Sequence, residues 1–248
     1  MGTAQVVLRR KIKRIADKLE KYLGTPHPPS TRAKPIDMLI ATLLSQNTND
    51  KNSHRAYIQL KKTFPSWDEI AGAPWQKIAS AIRTGGMANQ KSKRIKKIIR
   101  TIEKKYGSFN LEFLNDKSDD EVIEILSSFD GVGIKTAACV LTFSLRRDIF
   151  PVDTHVHRIS NRLGLASNCK TPECTFQQMK PNVPKGKGYS FHTNLIRFGR
   201  KICRANKPLC NICPLYKECC FEKKEIFAKI GTNRITQRDY DFMLLDNV

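Results

Sequence analysis

The chain has 248 residues, which is enough for one large domain or two small ones. It carries 44 Lys and Arg against 23 Asp and Glu, a formal net charge of +21 that favours a polyanionic partner, most simply nucleic acid. Without a run of about 18 apolar residues, no membrane-spanning helix is expected.

Helical periodicity begins near the N-terminus. Residues 6–23 predict a basic amphipathic helix. Residues 35–46 predict an apolar helix with Pro35 in its first position, where the missing N–H does no harm. The next helix is expected to be capped by Asp50 and to stop before Pro65.

More helical patterns follow, and strand alternation and internal repeats are not found. The patterns cover residues 66–73, 74–82, 90–107, 118–129, 134–145, 156–165 and 189–203. Ser118 and Glu121 have the spacing of a capping box. Residues 166–175 are interpreted as a loop, and residues 223–248 as a tail without a clear pattern. The predicted fold class is therefore all-α.

The stretch "SSFDGVGIKTAACVLTF" indicates two helices joined by a Gly-x-Gly turn. Glycines permit positive φ, and the unpaired N–H groups that open the second helix can cradle a phosphate. An ordinary helical hairpin in a core is the alternative. Lys135 falls in the first turn of the second helix, where the helix dipole disfavours an ammonium. A lysine in that position suits Schiff-base chemistry or, alternatively, phosphate binding in solvent.

Asp153, in "FPVDTHVHRIS", precedes a short helical pattern. It can be read as an N-cap, which contributes about 1 kcal/mol. It can also be read as a carboxylate facing Lys135, where it would stabilise positive charge on a sugar ring. His155 and His157 face apart on a helix, which disfavours a shared metal, and His155 is the better candidate for a role near Asp153.

Four cysteines with the spacing C-x6-C-x2-C-x5-C indicate a metal site. They are Cys203, Cys210, Cys213 and Cys219. Tetrahedral zinc and an iron–sulfur cluster both satisfy four thiolates, and the sequence does not separate them. Cys220 leaves open which of two adjacent sulfurs ligates. Cys139 is predicted to lie in the core, and Cys169 and Cys174 are predicted to be loop thiols rather than a disulfide.

The order of "GVGIKTA", "PVDTHVHRI" and the four cysteines resembles the endonuclease III family of helix-hairpin-helix (HhH-GPD) DNA glycosylases. "LIATLLSQNTNDKN" and "RTGGMANQKSKRI" fall where that family has its base-opening and strand-wedging segments. Together these motifs extend the resemblance over residues 30–222.

The resemblance implies two helical domains with DNA in the cleft between them. Residues 31–145 are expected to form a six-helix domain that ends in the helix-hairpin-helix. Residues 1–30 and 146–222 are expected to form the second domain, whose C-terminal loop holds a [4Fe–4S] cluster on the four cysteines. Residues 223–248 are left as a C-terminal tail.

By motif match, the resemblance makes Lys135 the Schiff-base nucleophile and Asp153 the essential carboxylate. The damaged nucleotide is flipped out of the stack, and Asp153 helps the base to leave. Lys135 attacks C1′ and forms an imine, and β-elimination then cuts the strand. This implies a bifunctional DNA glycosylase and AP lyase of base excision repair that removes damaged pyrimidines, with oxidised ones favoured. The expected partner is double-stranded DNA with a damaged base or an abasic site.

The resemblance also implies DNA contacts. The candidates are Gln46, Asn47, Met87, Asn89, Gly131, Gly133, Thr136 and His155. Either Gln46 or Asn47 would fill the gap left by the flipped base, and Met87 would wedge between bases. Asp130 stands where the family commonly has proline and is a possible second carboxylate near Lys135. Such departures leave the preferred lesion open.

Two other functions are compatible with these residues. One is a mismatch glycosylase that acts on uracil or thymine opposite guanine, and the other is a metal-braced DNA-binding protein without chemistry. The cysteine usage favours a reducing intracellular setting, in the cytoplasm and nucleoid or, in a eukaryote, the nucleus. A monomer is expected because reading DNA in a cleft needs no dimer.

Overall fold

Helices make up the regular secondary structure in the computed structural model, which describes residues 3–230 and 242–248. Their bounds are α1 Thr3–Leu23, α2 Pro35–Leu44, α3 Asp50–Thr63, α4 Trp67–Gly72, α5 Trp75–Ala81, α6 Ala88–Tyr106, α7 Asp119–Ser127, α8 Ile134–Cys139, α9 Thr154–Arg162, α10 Pro172–Met179, α11 Gly188–Lys201 and α12 Lys224–Ile230. The all-α prediction is confirmed, since these ranges contain no strand. None of their helices combines the length and apolarity needed to cross a membrane.

Capping signals in the sequence set several helix ends. Ser66 with Glu69 and Ser118 with Glu121 form capping boxes at the starts of α4 and α7. Gly107 ends α6 in the left-handed conformation, with φ of 68°. These ends follow from local chemistry alone.

Several predicted helices end a few residues away from the observed ends, and the two differences next to the α2–α3 loop have clear physical causes. Asn49, not Asp50, caps α3, because the Asn49 side chain accepts the N–H of Asn52 at 2.9 Å. The α2 helix ends at Leu44, before the predicted end, and Asn47 takes a left-handed φ of 54° that a continuing helix cannot hold. Both differences lie in the loop between α2 and α3.

The described residues form two compact units. The central unit consists of residues 29–147 with 242–248 and contains α2 to α8. The terminal unit consists of residues 3–28 with 148–230 and contains α1 and α9 to α12.

The core of the central unit is built around α2. Every residue of α2 except Asp37 is buried, as expected of a helix surrounded by others. The helices α3, α6 and α8 pack against it. From α6, the residues that face this core include Ile95, Ile98, Ile99 and Ile102. Helix α2 is therefore the central element of this unit.

The last seven residues belong to the central unit rather than to a free tail. Met243 and Leu244 are 4% and 1% exposed, and the N–H of Leu244 donates to the Asp50 carboxylate at 3.2 Å. The ring of Phe242 meets that of His54 edge-on at 5.3 Å. The rest of the predicted tail comprises α12 and residues 231–241, which lie outside the described residues.

In the terminal unit, α11 packs against α1 and α9. Phe191 and Phe198 of α11 are each 1% exposed, and Phe150 stacks on Phe191 at 5.2 Å between ring centroids. The helix α9 packs on α11, and Asp153, the candidate carboxylate, immediately precedes α9.

The segment that leads into α10 departs from its predicted loop structure. Cys169 and Cys174 form a disulfide, so the prediction of loop thiols is wrong. Thr171 caps α10 by accepting the N–H of Cys174 at 3.3 Å, and Pro172 takes the first helical position. The Thr-Pro pair was the helix-start signal that the loop interpretation missed.

Candidate functional site

A tight turn joins α7 to α8 in the central unit. Phe129 and Val132 anchor it with buried side chains, 4% and 6% exposed, and the N–H of Val132 donates to the carbonyl of Phe129 at 3.1 Å. Between them, Gly131 has φ of 76°, in the region that favours glycine. The α8 helix then passes directly into a π-helical turn, Val140–Ser144. The predicted hairpin is present, and it depends on Gly131.

The second glycine of the turn has a different role. Gly133 caps α8 with φ of −105°, and a Cβ atom there would meet nothing within 4 Å. Thr136 is 2% exposed, and its N–H donates to the Gly133 carbonyl at 2.9 Å. Gly133 thus leaves open surface at the start of α8, whereas the side chain of Thr136 faces the interior.

Lys135 is the second residue of α8 and is partly exposed. Among residues 3–230 and 242–248, its amine makes neither a hydrogen bond nor an ion pair. Asp130, the possible second carboxylate, instead pairs with Lys97 at 3.2 Å, with both side chains well exposed. A pair of that kind contributes about 0–1 kcal/mol. The carboxylate next to the turn is thus directed toward α6.

Gln46 and Asn47, the two candidates for filling a gap in DNA, differ in what they contact. The Nε2 of Gln46 donates to the Gly131 carbonyl at 3.1 Å, so this side chain ties the α2–α3 loop to the hairpin. Asn47 is exposed, and its Nδ2 lies 3.6 Å from the Sδ of Met87. Asn47 is therefore the more exposed of the two candidates.

Met87 and Asn89 lie at the start of α6. Met87 precedes the helix with a left-handed φ of 51°, which is uncommon for a residue other than glycine, and its side chain is 49% exposed. Asn89 is exposed in the first turn, where its carbonyl accepts the hydroxyl of Ser92 at 3.0 Å. An exposed apolar side chain of this kind fits a wedge between bases.

Lys91 was not among the predicted residues, yet it lies beneath both segments. It is 2% exposed, and its Nζ donates to the carbonyls of Leu44 at 2.7 Å and Gly85 at 2.8 Å. Burial lowers the pKa of Lys91 to about 8. The signal in the sequence is its spacing, because Lys91 shares the apolar face of α6 with Ile95 and Ile98.

In the terminal unit, Asp153 is the N-cap of α9. One carboxylate oxygen accepts the N–H of Val156 at 2.8 Å, as the capping interpretation predicts. Capping uses Oδ1 of Asp153, so it does not preclude a second role for the carboxylate. Lys135 and Asp153 belong to different units.

The two histidines of α9 contact different partners. The Nδ1 of His155 lies 3.2 Å from the Nη2 of Arg158. The Nδ1 of His157 lies 2.8 Å from the hydroxyl of Thr175. The histidines therefore face apart, as their spacing predicts.

Two arginines connect α9 to the segment with four cysteines. Arg158 donates to the Cys203 carbonyl at 2.9 Å. Arg162 donates to the Cys203 sulfur at 3.4 Å and to the Arg204 carbonyl at 2.8 Å, and the Arg162 carbonyl accepts from the Cys219 thiol at 3.4 Å. The helix that begins at Asp153 thus ends on this segment.

The four cysteines are free thiols in a partly buried setting. Burial raises the pKa of Cys213 to about 12, and burial together with neighbouring thiolates raises the pKa of Cys210 and Cys219. A bound metal would offset the cost of deprotonating these three partly buried thiols, and a set of four cysteines suits either zinc or an iron–sulfur cluster. Within the described ranges, no three His, Cys, Asp or Glu side chains are arranged to hold a metal ion.

Comparison with known proteins decides the family. Residues 40–185 match the family model described as HhH-GPD superfamily base excision DNA repair protein. The chain belongs to this superfamily. Endonuclease III from Thermotoga maritima is 36% identical over 204 residues, which cover 82% of this HhH-GPD protein and 89% of that relative. The resemblance to the endonuclease III family is confirmed.

Two relatives from Arabidopsis thaliana are longer than this HhH-GPD protein. One, with a provisional DNA glycosylase name, is 40% identical over 168 residues, covering 68% of this chain and 57% of the relative. The other, DNA glycosylase/AP lyase ROS1, is 32% identical over 170 residues, covering 62% and 12%. The chain thus spans little more than half of the first and a small part of the second. The names of these relatives support glycosylase and AP lyase activity.

Solved structures show the same fold. A non-covalent complex of endonuclease III with DNA superimposes with a TM-score of 0.75 at 26% identity, covering 91% of this chain and 99% of that one. A thermostable thymine-DNA glycosylase gives a TM-score of 0.71 at 22% identity, covering 87% and 98%, and shows the fold alone. The endonuclease III-like fold is confirmed, and the first complex supports DNA as the partner.

Gly131→Ala tests the hairpin turn. Alanine must adopt a left-handed φ there, and its Cβ would meet the Arg94 side chain at 2.9 Å. The φ strain costs about 1–2 kcal/mol. We expect affinity for an abasic duplex, measured by fluorescence anisotropy, to fall roughly tenfold, which corresponds to about 1.4 kcal/mol.

Gly107→Ala is the matched control for this prediction. Gly107 also has positive φ, 68°, but a Cβ there meets nothing within 4 Å and lies at the end of α6. Denaturant unfolding should show similar losses of stability in both variants. Equal DNA affinities for the two variants would contradict a role of the hairpin turn in DNA binding.

Proposed function

We propose that this HhH-GPD protein is a bifunctional DNA glycosylase and AP lyase of base excision repair that removes oxidised pyrimidines through a lysine Schiff base. The observation that carries the proposal is the position of Lys135, directly after the left-handed hairpin turn, partly exposed and without an ion pair among the described residues. The name of the relative DNA glycosylase/AP lyase ROS1 supports the two activities.

The reaction begins with attack of the Lys135 amine on C1′ of an extruded nucleotide. The bond from C1′ to the base breaks, and the base leaves with the electron pair and takes up a proton that the attached nitrogen loses. The bond from C1′ to the ring oxygen then breaks, the ring oxygen takes a proton from water, and a protonated imine between Lys135 and C1′ remains. Loss of a proton from C2′ then expels the 3′ phosphate and cuts the strand.

Asp153 is proposed to supply negative charge as positive charge develops on the sugar. Its N-cap bond to Val156 fixes the carboxylate at the start of α9 and leaves Oδ2 outside the capping interaction. The cap and the catalytic role are thus compatible, because each uses a different part of the same carboxylate.

The four cysteines named above are proposed to hold a [4Fe–4S] cluster. When bound, the cluster would supply thiolate–iron bonds that fold the segment after α11 and would leave the excision chemistry to Lys135 and Asp153. Arg162, which donates to the Cys203 sulfur, is placed to offset the negative charge of the ligands.

Lys135→Gln tests the proposal directly. Borohydride reduces an imine to a stable amine, so the wild type should form a covalent adduct on a thymine-glycol duplex, and the variant should form none. Lys104→Gln, which removes the same charge from the exposed last turn of α6, should form the adduct normally. An adduct at the wild-type level in Lys135→Gln would contradict the mechanism.

The same assay sorts the substrates. Thymine-glycol duplexes should be trapped faster than duplexes with uracil opposite guanine or with 5-methylcytosine. Faster trapping on uracil opposite guanine would replace the oxidised-pyrimidine assignment with mismatch repair. Binding without trapping on any of the three duplexes would leave only a DNA-binding protein.

Asp153→Asn separates the two roles of Asp153. Asparagine and aspartate cap helices about equally well, so the free energy of unfolding should change by less than about 0.5 kcal/mol. Base excision in single-turnover assays should fall by roughly 10²–10³-fold because the charge is lost. Excision at the wild-type rate would show that Asp153 is only a cap.

Cys213→Ser tests the cluster. We expect purified protein to contain iron and absorb visible light, and the substitution to remove most of both because one thiolate ligand is lost. Cys220→Ser, at the exposed neighbour of Cys219, should retain them. Zinc in place of iron, or full iron content in Cys213→Ser, would overturn the assignment.

A further inference from the structure

Lys91 is a buried cation held by two backbone carbonyls. Its side chain is 2% exposed, and the ammonium donates to the carbonyls of Leu44 and Gly85 at 2.7 and 2.8 Å. Burial is the cause of its lowered pKa of about 8, so the amine still carries its proton for the most part at neutral pH. A buried charge without a carboxylate partner is costly, and its hydrogen bonds only partly offset the lost hydration.

The two carbonyls belong to the two segments that present the candidate DNA contacts. Leu44 is the last residue of α2, so its carbonyl lacks a helical partner, and Asn47 follows within the next turn. Gly85 ends the short 3-10 turn Arg83–Gly85, and Met87 follows two residues later. The Lys91 amine thus binds the backbone just before each of the two segments.

Both segments are strained at the residue they expose. Asn47 and Met87 take left-handed φ values of 54° and 51°. A residue other than glycine in this conformation is strained and persists only where its surroundings over-determine it. The Nδ2 of Asn47 and the Sδ of Met87 lie 3.6 Å apart, so the two exposed side chains are in contact with each other.

Close packing at Gly85 fixes the 3-10 turn that leads to Met87. A Cβ at Gly85 would meet the Cβ of Ala56 in α3 at 3.0 Å, so the 3-10 turn already lies against that helix. Lys91 adds the tie from Gly85 to the end of α2. An apolar side chain of similar length would fill the space but leave the two carbonyls without their donor.

We propose that Lys91 is a positioning residue that fixes the spacing of Asn47 and Met87, so that both enter the duplex together where a nucleotide is extruded. This inference rests on the proposed function. It assigns Lys91 no contact with substrate, since the side chain is buried. The prediction is that Lys91 matters only when an opposing strand has to be parted.

The experiment compares one abasic site in two settings. In a duplex, a nucleotide must be extruded and its place filled, whereas in a single strand no opposing base exists. Lys91→Met should reduce borohydride trapping on the duplex by roughly 10²-fold, because small displacements of positioning groups have effects of that size. Trapping on the single strand should stay within about twofold of wild type, a difference of only about 0.4 kcal/mol.

Lys96→Met is the matched control. Lys96 lies on the same helix and also donates to a backbone carbonyl, that of Ala73 at 2.6 Å, at the end of α4. It makes no bond to the α2–α3 loop or to the 3-10 turn among the described residues. Lys96→Met should leave the ratio of duplex to single-strand trapping unchanged.

A fluorescence readout separates failure of this inference from failure of the proposed function. With 2-aminopurine opposite the abasic site, entry of side chains into the stack raises the fluorescence without any chemistry. Wild type and Lys96→Met should raise it equally, and Lys91→Met should raise it less. If the wild type distorts the duplex but traps no adduct, the proposed function fails while the role of Lys91 is still decided.

Three outcomes would overturn the inference. They are equal losses of trapping on both substrates, no loss on either, and unchanged fluorescence in Lys91→Met. If Lys91→Met does not fold, Lys91→Gln, which keeps N–H donors without charge, takes its place with the same expected direction. In a background with Asn47→Ala and Met87→Ala, the Lys91 substitution should have little further effect on duplex trapping.

Discussion

The hairpin turn at Gly131 is the constraint on which the rest of the candidate site depends. Its left-handed backbone reverses the chain between two buried anchors, Phe129 and Val132. The Gly131 carbonyl accepts the Gln46 side chain and so connects the turn to the α2–α3 loop. Lys135 follows within one helical turn. The turn therefore sets the backbone position of Lys135.

The α9 helix connects two kinds of chemistry within the terminal unit. Asp153 caps its first turn, and Arg162 at its last residue donates to the Cys203 sulfur. A cluster on the four cysteines would thus brace the far end of the helix that holds the carboxylate. Capping and catalysis are often treated as alternatives for an aspartate, but at Asp153 the geometry permits both.

Much of the fold was predictable because helices in this chain follow apolar periodicity and local caps. The misses have physical causes. The start of α10 lies between the two cysteines of a disulfide, within residues 166–175, which have the composition of a loop. Leu244 packs on the central unit through a long-range contact, which has no local sequence pattern. The burial of Lys91 was not predicted because lysine is normally exposed, even where its position falls on the apolar face of a helix. The family motifs pointed to Lys135, but the hydrogen bond from Gln46 to Gly131 joins residues 85 positions apart and has no signal in the sequence.

The most direct test of the account is to locate the covalent bond. The wild type is incubated with an abasic duplex, the imine is reduced with borohydride, and the digested protein is mapped by mass spectrometry. The account predicts the sugar on the peptide that contains Lys135, with buried Lys91 and the Asp130-paired Lys97 unmodified. A sugar adduct on any lysine other than Lys135 would contradict it.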